Sequence, residues 1–432
     1  PRGEIYDRHY NEPYVTNTES FTVLLNPSAV GDVTYSTLII NLSKYLNIDV
    51  DTIERKIPLS SRKSFKNIEI SSSVPYKQIV EIAENIDDLP GVSWVSVPIR
   101  DYLFRGSISH ILGYVGKISQ SEFQVLYNEG YTQNDKIGKN GVEKQYDKIL
   151  KGTNGLKYNT VDVQGRRIDK KSINSDVAPI PGKNIRLTID KRIQLLAQKS
   201  LGKRKGSVIV LKPDSGEILA MVSYPWYEPS DFNIPNSNAY GKVLLDENKP
   251  LINRALQAYP PASTFKIIMS AAVLEENVPD DFHVNCVGRI YYGDRYFGCW
   301  NRGGHGEVDL EGALINSCNI YYYTAGRDYL GIEKINTYAR EFGFGQQAGI
   351  DLPGEAFGQV PTPEWVKKKY DLWWTHGDTM NVSIGQGLTL ATPLQVANEV
   401  SFVLNSGVVY KPHVVKEIIE PNSGKVLHEI ER

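Results

Sequence analysis

Cysteine is scarce in this chain: three residues in 432, too few to staple a framework, so packing has to hold the fold. The 41% apolar content leaves ample material for that core, and the 23% charge is that of an ordinary globular chain. No run of 18 apolar residues occurs, so no transmembrane helix lies within these residues. A signal peptide, internal repeats and low-complexity segments are missing as well. Nor is there an excess of one charge: the formal net charge of −2 makes no electrostatic case for nucleic acid as a partner. The first residue is Pro1 rather than Met, so the start is expected to have been trimmed, with loss of a membrane anchor. A length of 432 residues predicts two or three domains.

What is present falls into two parts. Phe21-Thr22-Val23-Leu24-Leu25 and Ile68-Glu69-Ile70 read as strands, and residues 35–46 and 76–85 as amphipathic helices. Glycine and basic residues crowd positions 138–167, and a polar linker, 169–175, leads to Pro179-Ile180-Pro181-Gly182. That Pro/Gly cluster divides a domain of residues 1–178 from one of residues 179–432. Beyond it, residues 184–188 read as a strand and Asp190 as the cap of a helix reaching Leu201. Two β-rich runs, 207–211 and 218–223, flank the turn Pro213-Asp214-Ser215-Gly216 and predict a hairpin. Helices are expected to dominate from 263 to 342, with closing strands at 408–415 and 426–430. The second domain is therefore expected to be α+β, helices packed on an antiparallel sheet.

Ser263-Thr264-Phe265-Lys266 follows Tyr259-Pro260-Pro261-Ala262 and opens an apolar helical run. The spacing i, i+3 sets the hydroxyl and the amine on one helix face. A serine at a helix start gains from free backbone N–H groups, and a buried lysine can lose its proton and act as base. That pair makes a Ser-Lys acyl-transfer nucleophile. Ser60-Ser61-Arg62-Lys63 and Ser200-Leu201-Gly202-Lys203 share the pattern, but both sit in charged stretches and read as solvated surface. Downstream, Ser317-Cys318-Asn319 offers a hydroxyl to pass a proton and a carboxamide to hold a substrate amide or the lysine. The same tripeptide pattern in Ser172-Ile173-Asn174 falls in the linker.

Ser-x-x-Lys and Ser-x-Asn, in this order, resemble the penicillin-recognising serine acyltransferases. The likeness extends along nearly all 432 residues. Pro1-Arg2-Gly3-Glu4-Ile5-Tyr6-Asp7-Arg8 resembles the segment after the membrane anchor of class B penicillin-binding proteins. Gly113-Tyr114-Val115-Gly116 and Gly141-Val142-Glu143-Lys144, with Gly152 and Gly155, resemble their N-terminal pedestal. Asn253-Arg254-Ala255 is similar to the lead-in to the nucleophile. Ser383-Ile384-Gly385-Gln386-Gly387, with Thr392-Pro393-Leu394-Gln395, is similar to the elongation transpeptidases of that class rather than the septal ones.

The resemblance implies an extended pedestal followed by a transpeptidase domain that cross-links peptidoglycan stem peptides and is inhibited by β-lactams. It implies Ser263 as nucleophile, Lys266 as its base, Ser317 as proton relay, and Asn319 as holder of substrate and lysine. It implies no cofactor. It also implies an inner-membrane, single-pass protein with its domains outside the cytoplasm. Its pedestal would meet a shape-determining glycosyltransferase and a rod-complex scaffold. One departure stands out: no Lys-Thr-Gly or substitute follows Gly387. The transpeptidase domain is thus expected to lack its C-terminal strands, and the chain to bind β-lactams poorly or not at all. A binding module with a silent catalytic domain is the alternative.

Cys286, Cys299 and His305, with Asp294 or Asp309 nearby, leave three readings open: a zinc site, a Cys286–Cys299 disulfide favoured by an extracytoplasmic compartment, or free thiols. No metal ligand is assigned. Cys318 reads as small packing.

Overall fold

The computed structural model describes residues 1–30, 35–62, 64–133, 135–156, 158, 176–233 and 238–430. The expected linker 169–175, with its Ser172-Ile173-Asn174, and Lys63 of one Ser-x-x-Lys match lie outside the described residues. The chain packs as two units, the first comprising Pro1–Leu187, Tyr227–Glu247 and Val415–Ile430. The second comprises Thr188–Trp226 and Asn248–Val414. Among the described residues no helix is long and apolar enough to cross a membrane.

The first unit holds a six-stranded sheet. Its strands lie in the order Val426–Glu429, Val415–Ile419, Asn184–Leu187, Ile5–Tyr6, Pro13–Thr18 and Ile99–Tyr102. A separate three-stranded sheet pairs Phe21–Leu25 with both Ile68–Val74 and Val92–Ser96. Helices Tyr35–Leu46 and Tyr76–Glu84 cover it as their periodicity predicts: Leu38, Ile39 and Leu42 of one and Ile79 and Ile82 of the other are buried.

The N-terminal motif explains itself here. Buried Glu143 receives Arg2 Nε at 2.5 Å and Arg100 Nε at 2.6 Å, and Arg2 also reaches Asp147 at 2.7 Å. Burial alone would raise the Glu143 carboxyl, but the two guanidiniums outweigh it and hold it below its ordinary range. Gly3 sits where a Cβ would fall 1.8 Å from the Lys183 carbonyl oxygen, so only glycine lets the two backbones meet.

In the second unit, Gly206–Leu211 and Ile218–Tyr224 form the expected antiparallel hairpin. Asp190 caps the helix Lys191–Leu201, its carboxylate accepting from the Arg192 and Ile193 N–H groups. Helices do not fill residues 263–342 as expected. Four short strands intervene: Val284–Cys286 pairs with Gly306–Val308, and Arg289–Tyr292 with Arg295–Gly298. The inner pair turns on Gly293-Asp294, with Gly293 at φ +66°, a two-residue loop of the kind that selects a hairpin over a helix. The strand expected at 408–415 is also displaced, beginning only at Val415. Pro412 lacks an N–H for a ladder and stands in the way.

Candidate active site

Residues Ala262–Phe265 form one 3-10 turn that runs into the helix Lys266–Glu275. Ser263 therefore sits just before the helix proper, exposed, and its hydroxyl makes no hydrogen bond among the described residues. Three contacts pin this turn. Phe265 is buried, edge-on to Phe344 with ring centres 5.7 Å apart. Tyr259 and Ala391 exchange backbone hydrogen bonds of 2.8 Å each. Ala262, held at φ +53°, donates its N–H to the Gly385 carbonyl at 2.9 Å. A left-handed alanine is strained, and such strain persists only where the surroundings dictate it.

Lys266 is 1% exposed. Its Nζ donates to the Ser317 carbonyl at 2.8 Å, to Ser317 Oγ at 3.0 Å and to Asn319 Oδ1 at 2.7 Å. The three N–H bonds of an ammonium are thus all used. Burial lowers its pKa from 10.5 to about 8, with the Cys299 and Cys318 thiols pulling the other way. Ser317 is itself left-handed, at φ +48°, between the helices Leu310–Ile315 and Asn319–Ala325. Lys266, Ser317 and Asn319 are therefore in direct contact, with Ser263 one turn before the lysine. The competing Ser200 and Lys203 are exposed on the surface.

The turn Ser383-Ile384-Gly385-Gln386-Gly387 stands in the sequence as a family likeness and as glycines fit for a turn of close backbone approach, without a partner assigned. Its place is against the nucleophile turn: a Cβ on Gly385 would lie 2.3 Å from the Ala262 carbonyl oxygen and 2.7 Å from Phe265 Cβ. Gly385, at φ +65°, is the positioning residue that sequence reasoning left unassigned.

Beside the lysine, Cys286, Cys299, Cys318 and His305 converge, their ligand atoms all within 4.8 Å of one another. The three thiols are free, so the Cys286–Cys299 disulfide is not formed. Cys318 is buried, as small packing requires, but it is also the fourth donor, a role its position inside Ser-x-Asn concealed. Asp309 is not in the set; it caps the helix Leu310–Ile315, accepting from Gly312 N–H at 2.8 Å. His305 Nδ1 lies 3.6 Å from Cys286 Sγ and 3.7 Å from Cys299 Sγ. Zinc bonds of about 2.0–2.3 Å in a tetrahedron set ligand atoms roughly 3.5–3.8 Å apart, the spacing of His305 Nδ1 from both thiols, and three thiols with one imidazole are donors that suit that ion. Burial pushes the Cys318 thiol up to about 12 in the metal-free site, which argues against a free nucleophile.

With this geometry in view, two family models cover most of the chain. Residues 1–187 match the penicillin-binding protein dimerisation domain, and residues 206–431 the penicillin-binding protein transpeptidase domain. The chain belongs to the class B penicillin-binding proteins. Among members of the family, it is 33% identical to the peptidoglycan D,D-transpeptidase MrdA of Salmonella typhimurium, over 99% of this chain and 68% of that one. It is 30% identical to stage V sporulation protein D of Bacillus subtilis, over 99% of this chain and 61% of that one. A complex of PBP2 with MreC from Helicobacter pylori contains a chain with TM-score 0.82 and 29% identity, covering 98% of this chain and 78% of that chain. The α+β penicillin-binding fold, a dimerisation domain followed by a transpeptidase domain, is the one expected from the sequence.

Proposed function

We propose that this protein is a peptidoglycan D,D-transpeptidase of cell-wall elongation. The observation that carries the reading is a desolvated Lys266 hydrogen-bonded to Ser317 and Asn319, one turn after an exposed Ser263. Neutral Lys266 takes the Ser263 proton as Oγ attacks the penultimate carbonyl of a stem peptide ending in D-Ala-D-Ala. The Ser263 N–H donates to the developing oxyanion, a contact worth about 3–4 kcal/mol in such sites. Ser317 passes the proton to the departing D-alanine, and Asn319 holds the peptide and the lysine. An amine of a neighbouring stem peptide then resolves the acyl-enzyme.

β-Lactams enter the same site as substrate mimics. The first unit docks rod-complex proteins, as the MreC complex of the Helicobacter pylori relative suggests, and the protein is held at the inner membrane with both units outside the cytoplasm. The four donors Cys286, Cys299, Cys318 and His305 would hold a zinc ion in a structural role, since four protein donors would leave it no position for substrate.

The absence of Lys-Thr-Gly beyond Gly387 favours a second reading for the 432 residues by themselves: a binding module that acylates slowly or not at all. Fluorescent penicillin tests both. The full gene product should form a covalent adduct that Ser263→Ala abolishes, while the 432-residue polypeptide should label weakly. A full gene product that never labels at Ser263 would overturn the enzyme reading.

A further inference from the structure

The hairpin of residues 289–298 carries side chains that the reaction described above leaves unused. Directly opposed residues of an antiparallel pair share a face, so Tyr291 and Tyr296 stand together, as do Ile290 and Phe297. Phe297 turns inward, edge-on to Tyr323 at 5.6 Å. The tyrosine pair turns outward, 58% and 60% exposed, with ring centres 4.9 Å apart. The Arg289 guanidinium lies 4.6 Å over the Tyr296 ring, and among the described residues it has no carboxylate partner. Residues 289–302 contain three arginines and one acid, Asp294, a local charge of +2 (3 − 1) in a chain of net charge −2.

The position of the hairpin says what it serves. The Gly298 carbonyl, at its foot, accepts from Asn319 Nδ2 at 3.2 Å, so the outward face begins where the candidate site ends. On the next residue but one, exposed Trp300 donates its Nε1–H to the Asn316 carbonyl at 2.9 Å, against the loop that carries Ser317. Flat, amphipathic rings offer a stacking surface for the C–H face of a sugar, and an unpaired arginine beside them selects a carboxylate. Within the hairpin the exposed side chains are tyrosine, arginine and one aspartate, with no exposed aliphatic residue to favour a lipid surface.

We propose that the outward face of this hairpin is a substrate subsite, where Tyr291 and Tyr296 stack on a peptidoglycan sugar and Arg289 pairs with a stem-peptide carboxylate. The subsite rests on the transpeptidase reading and extends it from the scissile bond to the glycan. The measurement is binding of soluble, uncross-linked glycan strands bearing stem peptides to the 432-residue chain, by fluorescence anisotropy. Tyr291→Ala/Tyr296→Ala should weaken binding at least tenfold, and Arg289→Glu should do so for strands with free carboxylates but not for amidated ones. Thermal melting within a few degrees of wild type establishes that the variants fold. Affinities equal to wild type in both variants, or binding of anionic lipid vesicles in place of glycan, would overturn the subsite. Penicillin labelling of the wild-type gene product runs in parallel: loss of that labelling refutes the transpeptidase reading, whereas unchanged glycan binding beside normal labelling refutes the hairpin alone.

Discussion

Lys266 is held between two demands. Its three hydrogen bonds favour the ammonium, while burial favours the amine, and burial prevails by lowering the pKa to about 8. Roughly one lysine in ten is then neutral at pH 7. Acylation of Ser263 in the full gene product should rise nearly tenfold per pH unit below that pKa and level off above it; a flat profile from pH 6 to 9 would remove Lys266 as the base. The folded lysine gives up its proton near 8 and the unfolded one near 10.5. Between those values the unfolded chain binds more protons, so Lys266 makes stability rise with pH. Glu399 works in the opposite sense. It is fully buried, neither carboxylate oxygen has a well-formed hydrogen bond, and burial pushes its pKa from 4.5 to about 8. The folded chain keeps this proton where the unfolded chain has lost it, so stability falls as pH rises from 4.5 to 8. Glu399→Leu should flatten that limb and add about 2 kcal/mol at pH 8, read from urea midpoints at pH 5 and pH 8.

At the scale of elements, the nucleophile turn is shaped from outside. Gly385 must lack a Cβ for the Ala262 carbonyl to sit where it does. Gly385→Ala should slow penicillin acylation by about 10–100-fold, the cost of displacing a nucleophile by a fraction of an ångström to an ångström, while Gly424→Ala, with open space around it, should not. The quartet of Ser263, Lys266, Ser317 and Asn319 was legible because its information is local: a spacing of three, a tripeptide, an apolar helix behind. The Ala262 partner of Gly385 and the place of Cys318 in the donor cluster were not, because these partners lie far along the chain and only folding brings them close. The 289–298 hairpin was missed for another reason. Its alternation spans only four residues a side, and the glycines around Gly293-Asp294 read as one loop within a stretch expected to be mainly helical. The four-donor cluster ties both feet of that hairpin, Cys286 and Cys299, to the middle of Ser-x-Asn. Chelation by a high-affinity agent should therefore release about one zinc per chain and lower the melting temperature, and Cys286→Ser should reproduce the loss without chelator. A protein that purifies without zinc and melts unchanged would exclude the site.

Across the whole chain, only some of the strands and helices were readable, and apart from the 207–223 hairpin their partnerships were not. The pairing of Ile5 with Ile185, and of Ile185 with Ile418, joins segments that no local pattern connects. The Arg2–Glu143–Arg100 network fastens the N-terminal segment of that arrangement. Glu143→Ala would leave buried Arg100 without a carboxylate and Arg2 with Asp147 alone, and should cost about 3–5 kcal/mol, seen as a lowered urea midpoint for the first unit, whereas Glu54→Ala on an exposed helix face should cost almost nothing. The sheet has a mechanical consequence. Leu187 and Val415 are register partners, so the chain leaves the sheet at one and rejoins it at the other. A pull applied at Pro1 and Ile430 passes from Ile5 to Ile185 to Ile418 through the backbone ladder, reinforced by the Arg186–Glu417 ion pair. The residues between Leu187 and Val415, with Ser263 and Lys266 among them, lie off that line of force and stay unloaded until the sheet itself gives way.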